Sequence, residues 1–491
     1  MYFLGIDVGT SSIKVSVLDS ATQQVVETAQ FPETEAEIIS IKTGWAEQDP
    51  EQWWVFTKQA ILKVNFSGKY NSKAIRGIGI AYQMHGLVLV DENQQSLRNS
   101  IIWCDSRAVE IGEQGFRNLG QNFCLNSLLN SPGNFTASKL AWVKAHEPEI
   151  FNRIDKVMLP GDYIAMKLSG EITTSISALS EGIFWDFQKN EISAEVLNYF
   201  GFDKTLFPEI RPVFSEHGNL KNDIANELGL SPGIAISYKS GDQPNNALSL
   251  NVTRPGEVAA TAGTSGVIYG VSDKLVYDPQ SRINTFAHVN YQPELTRTGI
   301  LLCINGTGSL YSWAKKVFSE NLSYRQMNEM SATVPIGSEG LIVLPFGNGA
   351  ERMLNNKQIS AQIHGLDLNL HSKAHLLRAM QEGIAFAFRY GLDIMRENGL
   401  HPSVIKAGKA NLFQSDVFCK AFVGACGVPV ALYDNDASSG AALGAGIGIG
   451  YYRTVADAFS QGAHAEIIEP RDTDKYEENY RQWKTILDKN L

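Results

Sequence analysis

The chain has 491 residues, of which 44% are hydrophobic and 19% are charged, and its formal net charge is −10. This length exceeds what a single hydrophobic core usually supports, so we expect at least two domains. The negative charge and the lack of a long Lys or Arg run argue against a nucleic-acid-binding protein, because such proteins neutralise phosphates with basic side chains.

Features of secreted and membrane proteins are also missing from the sequence. The N-terminal residues do not form a signal-peptide pattern, and no apolar run reaches the length of about eighteen residues that a membrane span needs. The five cysteines are odd in number and form no C-x-x-C pair, which favours reduced thiols. We therefore expect a cytoplasmic protein that does not contact membranes.

Two strand–turn–strand units with similar sequences lie in the two halves of the chain. Apolar and polar residues alternate in their strands, and Gly, Thr and Ser fill their turns. The units are strand 2–7, turn 9–12 and strand 13–18, and then strand 257–261, turn 263–266 and strand 267–269. Their recurrence predicts a duplicated architecture.

Helical segments alternate with the predicted strands. They cover residues 52–64, 138–146 and 372–398, the last with apolar residues at helical spacing and Gly399 as its stop signal. This alternation predicts an α/β protein.

Residues 243–256 mark the predicted boundary between two domains. The predicted division is an N-terminal domain at 1–245, a C-terminal domain at 252–450 and a helical extension at 451–491.

The two turns could hold the phosphates of a nucleotide. No G-x-x-x-x-G-K-[ST] loop is present, but a glycine-rich turn also presents successive backbone N–H groups that bind anions. Polar side chains of the first unit that would assist are Thr10, Ser11, Ser12 and Lys14. Asp7, which ends the preceding strand, would hold Mg²⁺ directly or through water. The alternative is an ordinary hairpin turn, where the same residue types are common; the pairing of two such turns favours phosphate binding.

Asp242 is the candidate general base. It follows Gly241 at the end of a predicted strand, and ligands of α/β sheets lie beyond the carboxyl ends of strands. A carboxylate there can accept the proton of a hydroxyl group during phosphoryl transfer. The alternative is an aspartate that only caps the next helix.

Further polar residues follow two other apolar runs. Gln83 and His85 are suited to hydrogen bonding with polyol hydroxyls, although His85 taken alone is better explained as a structural histidine. Trp103, Asp105 and Arg107 would line a polar pocket or, alternatively, form pairs on the surface.

Two glycine-containing segments near the C-terminus have different interpretations. Residues 408–411 precede a predicted helix at 413–422, and a helix N-terminus suits a nucleotide, although a plain strand-to-helix turn is the alternative. The glycines of 444–450 have the wrong spacing for a dinucleotide fingerprint and predict close helix packing.

Taken together, these motifs resemble the FGGY family of carbohydrate kinases, and within it most closely the kinases of xylulose. The segments that carry the resemblance are residues 5–11, 45–54, 83–86, 146–151, 155–160, 241–242 and 263–266. The resemblance implies two actin-like (ribonuclease H-like) domains with a catalytic cleft between them. It also implies that ATP and Mg²⁺ bind in the cleft.

The resemblance further implies roles for individual residues. Asp242 is the general base, and Asp7 is the catalytic, metal-associated aspartate. The nucleotide contacts are Thr10, Ser11, Ser12, Lys14, Gly263, Thr264, Gly308, Gly408 and Asn411. The predicted sugar-binding residues are Gln83, Met84, His85, Trp103, Asp105 and Gln243, of which Met84 and His85 match the family's ketopentose contacts.

The leading hypothesis is transfer of the γ-phosphate of ATP to the 5-hydroxyl of D-xylulose by a monomer or homodimer. Ribulose, a heptulose or glycerol are alternative acceptors, because Gln243 matches the residue that glycerol kinases of the family carry. A non-catalytic sugar or nucleotide sensor and a filament-forming protein are alternatives of other classes; a sensor, however, would need no general base.

Overall fold

Two β-sheets with the same central strand order organise the two halves of the chain. The protein is described here from a computed structural model that covers residues 1–434, 436–461 and 465–491. Residues 435 and 462–464, which fall in the predicted second domain and C-terminal extension, lie outside the described residues.

The first half alternates strands with helices. Its strands are β1 (Tyr2–Val8), β2 (Ile13–Asp19), β3 (Val25–Phe31), β4 (Glu47–Gln48), β5 (Ile75–Tyr82), β6 (Val88–Val90), β7 (Ser100–Ile101), β8 (Lys156–Met158), β9 (Thr173–Thr174), β10 (Trp185–Asp186), β11 (Glu191–Ile192), β12 (Glu209–Ile210) and β13 (Ala235–Gly241). Its helices are α1 (Pro50–Phe66), α2 (Val109–Leu119), α3 (Gln121–Phe123), α4 (Thr136–His146), α5 (Pro148–Phe151), α6 (Pro160–Ser169), α7 (Ile176–Glu181), α8 (Ala194–Phe200), α9 (Asn222–Leu228) and α10 (Asp242–Ser249).

The second half follows the same plan. Its strands are β14 (Val258–Ala262), β15 (Gly266–Ser272), β16 (Asn284–Ala287), β17 (Thr298–Ile304), β18 (Ile342–Leu344), β19 (Gln362–His364), β20 (Ile405–Gly408), β21 (Val430–Tyr433) and β22 (Glu466–Ile468). Its helices are α11 (Thr307–Phe318), α12 (Tyr324–Ser331), α13 (Lys373–Glu397), α14 (Asp416–Cys426), α15 (Ala437–Gly448) and α16 (Thr473–Asn490). Short 3₁₀ turns include Arg352–Leu354 and Asn411–Gln414.

The strand order confirms the predicted duplication. The first sheet has five strands in the order β13-β5-β1-β2-β3, and the second has seven in the order β16-β17-β15-β14-β20-β21-β22. In each sheet the first strand of the hairpin pairs antiparallel with the second and parallel with a later strand. The five central strands of the second sheet, β17-β15-β14-β20-β21, therefore repeat the first sheet, and the α/β fold class is confirmed.

The predicted helices are present, with one shift. Helices α1, α4 and α13 cover the three long segments that the periodicity indicates. The predicted helix 413–422 begins later, as α14, because Ser415 accepts a hydrogen bond from Phe418 N–H and caps the helix at that point. The residues just before Ser415 form a 3₁₀ turn instead.

Helix α15 connects the two halves. It follows β21 of the second sheet but packs on β1, β5 and β13 of the first. A Cβ atom on Gly5 would lie 1.9 Å from the carbonyl oxygen of Ser438, and one on Gly79 would lie 2.0 Å from that of Ala441. Only glycine therefore permits this approach. The predicted close packing of the glycine-rich segment is also confirmed, because a Cβ on Gly444 would lie 2.5 Å from the ring of Tyr238.

Buried side chains form a core around each sheet and a further cluster that contains residues of both halves. One cluster surrounds β1, β2, β5 and β13, and another surrounds the second sheet and includes Trp483 of α16. The C-terminal residues thus belong to the second core, where β22 also pairs with β21. Within the described ranges, the helices all lack the combination of length and apolar character that crossing a bilayer requires.

Candidate active site

Asp7 and Asp242 lie at the same edge of the first sheet. Strand β5 separates β1 from β13, and all three run parallel. Asp7 is opposite Ala81 of β5, and Gly241, which precedes Asp242, is opposite Tyr82. Since neighbouring strands are about 4.8 Å apart, the backbones at the two aspartates are separated by roughly 10 Å. Both aspartates therefore lie at the edge of the sheet where the parallel strands have their carboxyl ends.

The two carboxylates influence each other. Burial, reinforced by the negative charge of Asp436, raises the pKa of Asp7 to about 6, and Lys14 opposes the rise. Burial and the charge of Asp7 raise the pKa of Asp242 to about 7, whereas hydrogen bonds from Gln243 act to lower it. A carboxylate with a pKa near neutrality is well matched to accept a proton in a reaction at physiological pH.

Asp7 fits a cation-binding role. Its Oδ1 is buried and has no hydrogen-bond partner within the described part of the chain. No cluster of three or more His, Cys, Asp or Glu side chains in the described ranges could hold a metal ion by itself. A cation at Asp7 would therefore need oxygen ligands from another source, such as phosphates or water.

Asp436 is a site residue that the sequence analysis missed. It caps α15 and forms an ion pair with Lys14, which lies opposite Asp7 in the β1–β2 hairpin. Burial alone would raise the pKa of Asp436, but the Lys14 charge and a hydrogen bond from Ser438 lower it. Its signal in the sequence is an aspartate three residues before Ser439, the pattern of a capping box.

The first turn contacts the predicted sugar-binding residues. Trp103 Nε1 donates a hydrogen bond of 2.9 Å to Thr10 Oγ1, which donates one of 3.1 Å to Gln83 Oε1. Ser11 is exposed at the tip of the turn and Ser12 is half-buried. Thr10 is thus placed between the predicted phosphate-binding turn and the predicted sugar contacts.

The second turn borders a large cavity in the second half. The cavity has a volume of about 860 Å³ and is lined by Gly263, Thr264, Gly308 and Asn411, among others. Gly308 N–H donates to Gly263 O at 3.0 Å, and a Cβ on Gly308 would lie 2.2 Å from that oxygen. The turn and the start of α11 can therefore meet only because residue 308 is glycine.

Other residues of this cavity were not predicted. Tyr311 and Ser312 lie one turn of helix beyond Gly308, and Asn328 comes from α12. The spacing of three and four residues from Gly308 is the signal that could have identified the first two. Gly408 ends β20 and is not among the residues that line the cavity, so its nucleotide contact stays a prediction.

Met84 and His85 form a wall next to the end of β13, the strand that leads into Asp242. Met84 is buried, and its side chain covers Gly241, where a Cβ would lie 2.6 Å from Met84 Cγ. The ring of His85 packs edge-on against Phe135, at 4.7 Å between centroids, and at a tilt against Phe286, at 5.3 Å. Burial lowers the pKa of His85 to about 3, so its imidazole is neutral at physiological pH. Neither phenylalanine was predicted.

Asp105 does not have the predicted role. Its side chain is fully buried, and both carboxylate oxygens accept hydrogen bonds from Arg107, while Oδ2 also accepts one from Ala46 N–H. Because these partners occupy the carboxylate, Asp105 supports the neighbouring loop instead of contacting a sugar. Trp103 remains 47% exposed, and Gln243 is half-buried.

Comparisons with known proteins identify the family of the chain. The N-terminal and C-terminal domain models of the FGGY family of carbohydrate kinases match residues 2–249 and 258–449. Xylulose kinase of Staphylococcus epidermidis (strain ATCC 12228 / FDA PCI 1200) is 30% identical over 98% of this chain and 96% of its own length. Xylulose kinase of Bacillus subtilis (strain 168) is 28% identical over 99% of this chain and 96% of its own length.

Solved structures lead to the same family. A crystal structure of a xyloylose kinase from Brucella ovis is 27% identical, with a TM-score of 0.88, and covers 100% of this chain and 99% of that one. The crystal structure of Plasmodium falciparum glycerol kinase with ADP shares the fold, with a TM-score of 0.88. It is 20% identical and covers 100% of this chain and 98% of that one. This chain belongs to the FGGY family of carbohydrate kinases.

Proposed function

We propose that this protein transfers the γ-phosphoryl group of ATP to the 5-hydroxyl of D-xylulose. The observation that carries the proposal is the position of Asp242, a half-buried carboxylate with a pKa raised to about 7, next to the wall of Met84 and His85. The relatives from S. epidermidis and B. subtilis, matched over almost their whole length, carry the name xylulose kinase and support the choice of sugar.

Asp242 acts as the general base. Its carboxylate accepts the proton of the sugar hydroxyl as the new P–O bond forms, and the bond between the γ-phosphorus and the bridging oxygen of ADP breaks. The electrostatic influence of Asp242 on Glu181 of the first half and on Cys303 of the second supports a position inside the cleft. An acceptor hydroxyl there would be within reach of groups from both halves.

ATP occupies the cavity of the second half, with its phosphates directed at the two turns. The backbone N–H groups of the turn at Gly263 and Thr264 bind phosphate oxygens, as do the hydroxyls of Thr10, Ser11 and Ser12. Asp7, through its unpaired Oδ1, would hold Mg²⁺. The bound cation supplies positive charge that neutralises the phosphates in the transition state.

The proposal also specifies the partners, the cellular location and the oligomeric state of the protein. The partners are small molecules only, without nucleic acid or membrane, and the net charge of −10 supports this. The proposed location is the cytoplasm, where ATP is available, and a homodimer is proposed from the sequence alone.

A panel of acceptors tests the proposal. ADP release is measured with ATP and Mg²⁺ in the presence of D-xylulose, D-ribulose, L-ribulose, L-xylulose, sedoheptulose, glycerol or no sugar. We expect kcat/KM to be highest for D-xylulose. A preference for another sugar would reject the assigned substrate, and no stimulation by any sugar in a protein that still binds ATP would favour the sensor.

A further inference from the structure

A buried lysine lies behind the two segments that carry the proposed sugar contacts. Lys139 of α4 is 0% exposed, and its Nζ donates hydrogen bonds to the carbonyl oxygens of His85 at 2.8 Å and of Ile102 at 3.0 Å. Ile102 directly precedes Trp103. A single ammonium group therefore joins the turn of His85 to the segment of Trp103.

The backbone of His85 needs such support. Its φ of 63° lies in the left-handed region, which is strained for a residue other than glycine. The N–H of His85 donates to Glu181 Oε2 at 3.2 Å, and Thr136 Oγ1 donates to its carbonyl oxygen at 3.3 Å. Together with Lys139, these contacts fix both polar groups of the His85 backbone.

The charge at Lys139 suggests a role beyond filling space. Burying an ammonium costs free energy that an apolar side chain would not cost, and burial lowers the pKa of Lys139 to about 7. The negative charges of Asp105 and Glu181 act in the opposite direction. What the lysine adds over an apolar residue is the pair of hydrogen bonds that set the distance between two backbone segments.

We propose that Lys139 is a positioning residue for the sugar, which it serves by holding His85 and Trp103 in register with each other. The inference rests on the proposed function, because it requires these two residues to contact the acceptor. It concerns sugar recognition first, since Lys139 holds the backbone of the two proposed sugar-binding segments, whereas the nucleotide cavity lies in the second half.

The same helix offers a matched control. Lys144 of α4 also donates to two backbone carbonyls, those of Phe200 at 2.9 Å and of Gly201, but these lie away from the proposed sugar wall. Lys139→Met and Lys144→Met each keep the aliphatic stem and remove an ammonium group that bridges two carbonyls. The two variants differ in which segments they release and in burial, because Lys139 is fully buried and Lys144 is half-buried.

Steady-state kinetics test the proposal. In Lys139→Met we expect the KM of the sugar to rise about tenfold or more and the KM of ATP to change by less than about twofold. Lys144→Met should leave both constants within about twofold of the parent. An unchanged sugar KM in a folded Lys139→Met protein, or an equal rise in Lys144→Met, would overturn the proposal.

A milder variant covers the case in which Lys139→Met does not fold. Thr136→Val preserves the shape of the side chain and removes only the weaker donor to the His85 carbonyl. We expect a sugar KM about two- to threefold higher, with the KM of ATP unchanged. No change in sugar KM would count against the proposal.

A readout that needs no substrate separates this inference from the proposed function. The ¹H–¹³C signal of the His85 imidazole, assigned with His85→Gln, should shift in Lys139→Met and not in Lys144→Met. If the parent enzyme phosphorylates no sugar in the panel, the proposed function fails, whereas this comparison still tests the placement of His85. An unmoved signal in Lys139→Met would contradict the role of Lys139.

Discussion

The two hairpins of this protein share a backbone and differ in chemistry. Residues 7–11 read Asp-Val-Gly-Thr-Ser, and residues 261–265 read Thr-Ala-Gly-Thr-Ser at the matching place in the second sheet. The first hairpin thus carries a carboxylate, Asp7, where the second carries the neutral Thr261. Its neighbourhood also contains Lys14 and Asp436, while the second hairpin borders the large cavity.

This difference shows how a duplicated fold can divide its work. Both turns offer the same Gly-Thr-Ser backbone to phosphates, so phosphate binding needs no asymmetry. In the proposed mechanism, the residues for metal binding and proton transfer, Asp7 and Asp242, belong to the first half, and the cavity assigned to the nucleotide belongs to the second. Substitutions in the two hairpins should therefore affect different kinetic constants.

Among substitutions within the two hairpins, the largest effect is expected from Asp7→Asn, compared with Thr261→Val at the matching position. Loss of the carboxylate should lower kcat by about 10²- to 10³-fold, because charge stabilisation of the transferring phosphoryl group is lost. Thr261→Val should change kcat by less than about threefold, since a hydroxyl there has no such role. ADP release at saturating substrates measures both, and equal losses in the two variants would break the comparison.

The second prediction contrasts two glycines of the second half. A Cβ on Gly308 would lie 2.2 Å from Gly263 O, whereas a Cβ on Gly263 would meet Asn411 Nδ2 at an ordinary 3.5 Å. We expect Gly308→Ala to raise the KM of ATP about tenfold or more and Gly263→Ala to raise it only about two- to threefold, while the sugar KM stays constant in both. A larger effect at Gly263 would show that the packing account is wrong.

The third prediction concerns pH. The raised pKa of Asp242, about 7, means that a growing fraction of the base is protonated as the pH falls below neutrality. The kcat/KM for the sugar should therefore decrease about tenfold per pH unit below about pH 6.5. His85, whose pKa is lowered to about 3, should not contribute between pH 5 and pH 8, so His85→Gln should leave the position of the pH profile unchanged.

Several features of the fold and site could be predicted from the sequence. Strand periodicity and turn residues located both hairpins, and positions at strand ends singled out Asp7 and Asp242, which the structure places at the same edge of one sheet. Asp105 was misjudged, because a sequence does not show that Arg107 and Ala46 occupy its oxygens. Contributions from distant segments were missed for a related reason.

Those missed contributions share one physical origin. Phe135, Phe286, Lys139 and Asp436 reach the site from helices and strands far away in the chain, through packing that no local pattern records. Local periodicity specifies which face of an element is buried, but not which other element covers it. Only the assembled structure brings them together.

The smallest predicted effect is on stability. The pKa of Asp242 is raised from the ordinary 3.8 to about 7 in the folded protein. The protonated side chain therefore contributes to stability below about pH 4, and this contribution is lost as the pH rises through about 7. Asp242→Asn removes the free-energy cost of burying an ionised carboxylate. The free energy of unfolding of the variant at pH 8 should therefore exceed that of the parent by about 1–2 kcal/mol. Urea denaturation at pH 8 and pH 5 measures the difference in stability between variant and parent, which should be smaller at pH 5. A difference that is the same at both pH values, or larger at pH 5, would contradict the assigned burial.

The central claim is that Asp242 of the first half accepts the proton while the second half binds the nucleotide. The most direct measurement is ADP release by Asp242→Asn with saturating ATP, Mg²⁺ and D-xylulose, paired with calorimetric titration of ATP on the same preparation. We predict a loss of turnover of about 10³-fold or more with ATP affinity within about twofold of the parent. Near-normal turnover would contradict the account, and so would a loss of ATP binding large enough to explain the loss of activity.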